Sequence, residues 1–115
     1  MIREIQLNID CADPERLVEF YATALGYQPF GNAGAQYFSV VPRVGAGPKI
    51  VFQRVPEAKV AKNRMHLDLV VDDIEAEAER FVALGATRGE RVEEHGGAWI
   101  VMQDPEGNEL CICDS

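Results

Sequence analysis

The chain has few of the residues that mark a secreted scaffold, a membrane protein or a nucleic-acid-binding protein. Its 115 residues include three cysteines and two histidines, and 19 acidic residues outnumber 11 basic ones, which gives a formal net charge of −8. Nucleic acids and anionic lipids are bound by basic surfaces, so the acidic balance argues against both partners. No apolar run approaches the roughly 18 residues of a membrane span, and no basic-then-apolar leader opens the chain. We therefore expect a cytoplasmic protein.

The three cysteines do not form a disulfide framework. Cys111 and Cys113 are too close in sequence for an ordinary bridge, and Cys11 makes the count odd. This pattern fits a reducing compartment better than a disulfide-stabilised scaffold.

The sequence does contain an internal repeat. Residues 5–26 and 66–85 each read as a strand, an aspartate cap and a helix that ends at a glycine. A half-chain repeat indicates two copies of one supersecondary unit. At 47% hydrophobic, the chain is long enough for one core but too short for two independent ones. We predict a single domain, 1–115, built from two modules at about 1–58 and 63–115, with the function in a cleft between them.

The first module reads as a strand, a helix and further strands. Apolar and polar side chains alternate along residues 5–10, which predicts a strand with one apolar face. Pro14 lies in the first turn of the following helix, which we expect to cover that face. Strand-like runs follow at 36–41 and 49–55, and the polar segment 56–63 links the modules.

The second module follows the same plan. His66 and Asp68 share the polar face of a strand at 66–71, which leads into a helix with an aspartate cap. Two more strands are predicted at 99–103 and 109–113, joined by a tight turn. One face of the last strand carries Glu109, Cys111 and Cys113.

Three stretches of the chain resemble a known superfamily. They are IDCADPERLVEFYATALGY, VFQRVPEAKVAKNRMHLDLVVDDIEAEAERFVALGA and DPEGNELCIC. Together they cover most of the chain and resemble the glyoxalase-like branch of the vicinal oxygen chelate (VOC) superfamily, which also contains glyoxalase I, bleomycin-resistance proteins and extradiol dioxygenases. The resemblance implies an α+β fold in which two tandem βαβββ modules form a curled, cup-like mixed sheet, often completed by a homodimer.

The resemblance also implies a position for a metal site. Metal-dependent members hold a divalent cation with four inward-facing side chains, two per module, and these positions fall on Gln6, Gln53, His66 and Cys111. Only the histidine matches the commonest pattern. Two amides and a thiol in place of carboxylates make a poor site for magnesium, manganese or nickel, and a weak zinc site if the thiol ionises. We therefore expect no resident cofactor, with zinc or nickel as the alternative.

The resemblance further implies a small-molecule pocket in the cup, where His66 and Cys111 are the catalytic candidates. Each has a plainer interpretation: a histidine on a strand face is often a hydrogen-bonded structural residue, and a free cysteine is often a small buried hydrophobe. His95 falls in a predicted hairpin loop, and we expect it to be solvated only. The expected ligand contacts are Gln6, Asn8, Gln53, Asp68 and Trp99.

Three functions stay open at this stage. The favoured one is a metal-free module that binds a small organic molecule, similar to the drug-sequestering members. The alternative is a divalent-metal-dependent lyase or isomerase of glyoxalase type, or a dioxygenase-related enzyme, in which the cation polarises a carbonyl. The third is a metal-independent enzyme that uses His66 with Cys111 or Asp68. We expect a homodimer with no nucleic-acid or membrane partner, and the fold does not identify the ligand.

Overall fold

The structure of the protein is a computed structural model that describes residues 1–34 and 36–114, without the side chains of residues 32 and 33. Ala35 and Ser115, which the predicted domain range includes, lie outside the described residues. The chain divides into two compact units, Met1–Ala58 and Lys59–Ser115. The elements, in chain order, are β1 (Leu7–Cys11), α1 (Pro14–Leu25), β2 (Tyr27–Ala33), β3 (Tyr37–Pro42), β4 (Ile50–Arg54), β5 (Leu67–Val70), α2 (Ile74–Ala83), β6 (Thr87–Glu94), β7 (Gly97–Gln103) and β8 (Glu109–Cys113).

Each unit contains one helix and one four-stranded mixed sheet. The strand orders are β1-β4-β3-β2 in the first unit and β5-β8-β7-β6 in the second. β1 is parallel to β4 and β5 is parallel to β8, whereas the other neighbours are antiparallel. The α+β class and the βαβββ order of each module are therefore confirmed. Over the described residues neither sheet closes on itself, and the joint cup stays a prediction.

The helix α1 begins and ends where the sequence predicts. The carboxylate of Asp13 accepts a hydrogen bond from the backbone N–H of Arg16 at 3.3 Å, and Pro14 occupies the first turn, where its missing N–H costs nothing. Gly26 ends the helix in the left-handed region, at a φ of 69°, which glycine adopts without a Cβ clash. The buried side chains of α1 are Pro14, Leu17, Phe20, Tyr21 and Ala24.

The core of the first unit lies between α1 and strands β2, β3 and β4. Tyr21 stacks on Phe52 of β4 with ring centroids 5.2 Å apart, and Phe20 meets Tyr21 edge-on at 4.9 Å. We expected α1 to cover the apolar face of the first strand. The helix instead packs mainly on the other three strands, because β1 is at the sheet edge, and Leu7 and Ile9 stay half-buried.

The second unit is built in the same way. The carboxylate of Asp73 caps α2 by accepting a hydrogen bond from the N–H of Ala76 at 3.0 Å. The helix packs on β6, β7 and β8. At 12 and 10 residues, neither helix of the described chain has the length and apolarity that a membrane-crossing helix needs. Fully buried side chains of this core are Phe81, Ile100, Met102, Leu110 and Ile112.

Two strands, β2 and β6, are not predicted by the residue pattern. Both are edge strands, and nearly every described side chain of β6 is exposed, so no apolar alternation marks that strand. Each also pairs with an irregular register, with a shift between Pro29 and Asn32 in β2 and between Arg88 and Arg91 in β6. Only the family resemblance implied a fourth strand in each module.

The turn between β7 and β8 is held by a buried carboxylate. Asp104 is 2% exposed, and its Oδ1 accepts hydrogen bonds from the N–H groups of Glu106 at 2.8 Å and Asn108 at 3.0 Å. Its Oδ2 accepts from Nδ2 of Asn108 at 2.9 Å. Backbone bonds from Asp104 to Asn108 and from Gly107 to Asp104 close the same turn. The predicted turn is confirmed, and it determines where β8 begins.

Candidate functional site

The pairing of β5 with β8 brings three chemically distinct side chains together. Asp68 lies directly opposite Cys111 in the parallel register. His66 precedes β5 by one residue and is two positions from Asp68, so both share one face. One ligand atom from each of the three side chains lies within 4.8 Å of the others. We refer to these residues as the His66–Asp68–Cys111 cluster.

A hydrogen bond connects the two more exposed members of the cluster. Nδ1 of His66 lies 3.0 Å from Oδ1 of Asp68, and the side chains are 39% and 59% exposed. An ionised carboxylate can only accept, so Nδ1 carries the hydrogen and Nε2 is left as an acceptor. The carboxylate therefore fixes both the orientation and the tautomer of the imidazole.

The thiol of Cys111 is in a different environment. The residue is 9% exposed, and burial raises the pKa of its thiol, with the charge of Asp68 and then Cys113 acting in the same direction. Lys62 opposes this effect but does not reverse it. A raised pKa keeps the group a neutral thiol at pH 7, which is the wrong protonation state for a nucleophile. The cluster thus holds an oriented imidazole beside an unactivated thiol.

Trp99 lies on the same face of the second sheet as the cluster. It pairs directly with Cys113 across β7 and β8, and Cys113 and Cys111 are two positions apart on one strand. The indole is half-buried, so part of it faces solvent on this side. His95 occupies the exposed β6–β7 turn with a φ of 53°, as expected for a solvated loop residue.

In the first unit the structure brings two of the predicted contacts together. Nδ2 of Asn8 donates to Oε1 of Gln53 at 3.3 Å, across the parallel β1–β4 pair. Gln6 is exposed and directly precedes β1, two positions from Asn8. The predicted metal set takes Gln6 and Gln53 from this unit and two residues from the other unit, and it stays a prediction.

The two units have the same register, and this exposes a difference between them. Leu7 pairs with Ile50 in the first unit, and Leu67 pairs with Leu110 in the second, 60 positions further along in each strand. Val51 is consequently the counterpart of Cys111. The first unit therefore has valine where the cluster has its thiol.

Sequence reasoning missed a set of contacts that fastens the polar linker to β8. Oε2 of Glu109 accepts a hydrogen bond from the backbone N–H of Asn63 at 2.9 Å, and Nδ2 of Asn63 donates to the Glu109 carbonyl at 3.4 Å. Nζ of Lys59 lies 3.1 Å from Oε1 of Glu109, whose side chain is 12% exposed. The Asn63 N–H, followed by Lys59, lowers the pKa of this carboxyl. No sequence pattern indicates contacts 46 positions apart between a linker and a strand.

Solved structures with the same fold include resistance proteins and family enzymes. FosX, a fosfomycin resistance protein from Mesorhizobium loti, is 14% identical, with a TM-score of 0.76 over 100% of this chain and 94% of that one. A FosX variant from Listeria monocytogenes, in complex with Mn(II) and 1S,2S-dihydroxypropylphosphonic acid, is 14% identical, with a TM-score of 0.81 over 100% and 92%. A glyoxalase/bleomycin resistance protein/dioxygenase family enzyme from Burkholderia phytofirmans is 18% identical, with a TM-score of 0.78 over 94% of each chain. At these identities the likeness shows the fold alone.

The donor groups of this chain do not fit a hard cation such as Mn(II). Such cations are held mainly by oxygen ligands, with carboxylates supplying the charge. Within the cluster only Asp68 supplies a carboxylate, because Cys111 brings sulfur, and Gln6 and Gln53 are neutral amides. The adjacent carboxylate of Glu109 already accepts from the linker. The residues present therefore do not support a Mn(II) site of the usual composition.

The family itself follows from the sequence comparison. No curated protein matches the chain significantly. A sequence model of the glyoxalase-like domain matches residues 6–113, which is nearly the whole chain. Together with the βαβββ order of both units, this match shows that the chain belongs to the glyoxalase-like domain family of the VOC superfamily.

Proposed function

We propose that the chain binds a small organic molecule on the polar face of β5 and β8, without the usual hard-cation site. The observation that carries the proposal is the hydrogen bond between His66 and Asp68, which holds an exposed imidazole in one tautomer. An exposed histidine with no partner would gain nothing from such a fixed orientation. A fixed imidazole is suited to recognising a ligand group.

The tautomer specifies which ligand group is recognised. Because Nδ1 of His66 donates to Asp68, Nε2 accepts, and the matching ligand group is a hydroxyl or an N–H. The half-buried indole of Trp99 lies on the same face and offers apolar surface for stacking. The proposed ligand is therefore a small molecule that combines a hydrogen-bond donor with an apolar or aromatic part.

The chemistry of Cys111 favours binding over nucleophilic catalysis. Its thiol is buried and has a raised pKa, so it has the character of a packed side chain. Asp68 is engaged with the imidazole and adds charge that disfavours a thiolate. A metal-independent reaction that relies on this thiol would therefore begin from the unreactive form.

The test is a ligand-observed NMR screen of hydroxyl- and amide-bearing aromatic fragments against EDTA-treated protein. His66→Ala should weaken each confirmed fragment by at least about tenfold, the equivalent of one lost hydrogen bond of about 1.4 kcal/mol. His95→Ala is the matched control, because His95 is an exposed histidine in the β6–β7 turn. If both variants bind the fragments as the parent does, the proposed face is wrong.

A metal-dependent lyase or isomerase is the second candidate, and the three-donor cluster is the observation that favours it. A cation there would act as a Lewis acid on a carbonyl substrate. Metal analysis of protein purified without a histidine tag tests this candidate. Near-stoichiometric metal that His66→Ala removes would move this candidate to first place.

We also propose that the chain is a cytoplasmic homodimer with no nucleic-acid or membrane partner. The family resemblance supports the dimer, and the net charge of −8 disfavours polyanionic partners. Light scattering of the purified chain tests the dimer, and a monomeric mass across the working concentration range would exclude it.

A further inference from the structure

We propose that the His66–Asp68–Cys111 cluster selects a thiophilic divalent cation of the zinc class and rejects Mn(II). The cluster lies on the face where we place the organic ligand, so the role of the cation there rests on the proposed function. The selectivity follows from the donor atoms and the register that assembles them.

The donor set itself carries the inference. It contains an imidazole nitrogen, a carboxylate oxygen and a cysteine sulfur, with ligand atoms that all lie within 4.8 Å of one another. Zinc, cobalt and cadmium accept this mixture, whereas Mn(II) and Mg(II) need more oxygen ligands. Among residues 1–34 and 36–114, this is the one group of three histidine, cysteine or acidic ligands within such a distance.

The charges of the cluster also match a divalent cation. The carboxylate of Asp68 and a thiolate of Cys111 supply two negative charges, and neutral His66 adds none. Full compensation favours a site in which one donor, Cys111, is 9% exposed, because an uncompensated charge is costly to bury. Three protein ligands leave one position of a tetrahedral ion for a substrate oxygen or water.

The sheet holds the ligand positions before any ion binds. Asp68 and Cys111 are direct neighbours across the parallel β5–β8 pair, and the hydrogen bond to Asp68 orients His66. The linker contact at Glu109 fixes the chain on the same strand, two positions before Cys111. Ligands preorganised in this way lose little freedom on binding an ion.

The experiment is a Co(II) titration of the full chain, stripped with EDTA and kept reduced with a non-chelating reductant. Bound Co(II) should show a near-ultraviolet thiolate-to-cobalt charge-transfer absorption that saturates at one ion per chain. Zn(II) should displace the Co(II), and Mn(II) in about tenfold excess should not. A chain without this absorption, or one that Mn(II) strips of its Co(II), would overturn the proposal.

Two serine variants locate the sulfur ligand. Cys111→Ser should abolish the charge-transfer absorption and weaken Zn(II) binding by more than about tenfold. Cys113→Ser is the matched control, because Cys113 is also buried on β8 but its thiol contacts the carbonyl of Leu69. It should keep the spectrum of the parent. The opposite pattern, or equal loss in both variants while the circular dichroism stays native, would refute the assignment.

Cys111→Asp keeps the test decisive if the serine variant fails to fold. This variant should lose the charge-transfer absorption and gain Mn(II) affinity, which is measured by the loss of the free Mn(II) EPR signal. Unchanged Mn(II) affinity in folded variant protein would contradict the proposed basis of selectivity. Because the fragment screen uses EDTA-treated protein, a failure of fragment binding and a failure of the Co(II) titration are separate results.

Discussion

Replacing Asp104 should destabilise the second unit by an amount that depends on how many of its hydrogen bonds the substitution removes. The buried carboxylate accepts two backbone N–H groups on Oδ1 and one side-chain amide on Oδ2. Hydrogen bonds to charged groups contribute about 1.5–3 kcal/mol each. Solvent reaches the half-buried remainder of the turn and offsets part of the loss. We therefore expect Asp104→Ala to lower the free energy of unfolding by about 3–4 kcal/mol.

Asp104→Asn separates the backbone bonds from the side-chain bond. The amide oxygen can keep the two bonds from the N–H groups of Glu106 and Asn108, whereas the new NH₂ group faces Nδ2 of Asn108 and cannot accept from it. One of three bonds is lost, and we expect a cost of about 1–1.5 kcal/mol. Asp73→Ala, which removes one capping bond from α2, is the control and should cost about 1 kcal/mol.

The assay is equilibrium unfolding in urea, followed by the fluorescence of Trp99, which is the one tryptophan of the chain and lies on β7. Linear extrapolation gives the free energy for each variant. Equal losses for Asp104→Ala and Asp104→Asn would show that the two backbone N–H bonds contribute nothing. A loss below about 1 kcal/mol for Asp104→Ala would refute the view that this carboxylate holds the turn.

Two further stability predictions follow from buried contacts. Glu109→Gln should lower stability at pH 7 and flatten its acid dependence. Asn63 and Lys59 hold the pKa of this carboxyl below its ordinary value, so its contribution is present above the unfolded pKa of about 4.3 and is lost as the pH falls through the lowered folded value. Urea unfolding at pH 3, 4, 5 and 7 measures this, and identical pH profiles for parent and variant would contradict it. Phe52→Ala should cost about 3–5 kcal/mol, because the ring is fully buried and stacked on Tyr21, and Phe52→Leu about 1–1.5 kcal/mol. Far-ultraviolet circular dichroism in urea measures both, and a cost below about 1 kcal/mol for alanine would rule out this ring as a core residue.

The helices and the strands with one buried face could be predicted from the sequence, because burial on one side leaves a period in the residues. The caps of α1 were equally legible, since Asp13, Pro14 and Gly26 each act through local chemistry. The edge strand β6 could not be predicted by pattern, because its side chains are nearly all exposed and carry no alternation. The strand was implied only by resemblance.

The candidate site was predictable to the extent that it depends on alternation. His66 and Asp68 are two positions apart on one strand face, and the structure has them hydrogen-bonded. The placement of Cys111 opposite Asp68 needs the register of β8, which the turn at Asp104 determines through contacts of three dimensions. The hold of Glu109 on the linker was beyond prediction, because its partner Asn63 lies 46 positions away in a segment with no periodicity.

The shared register of the two units gives the protein an internal reference. Gln6, Asn8 and Val51 occupy, on nearly the same backbone, the positions that the cluster residues occupy one repeat later. A property that arises from the backbone alone would be expected in both halves, with two equivalents per chain. A property that arises from ionisable side chains would be expected in one half, with one equivalent per chain. The stoichiometry of whatever this protein binds therefore reports whether the fold or the side chains are responsible.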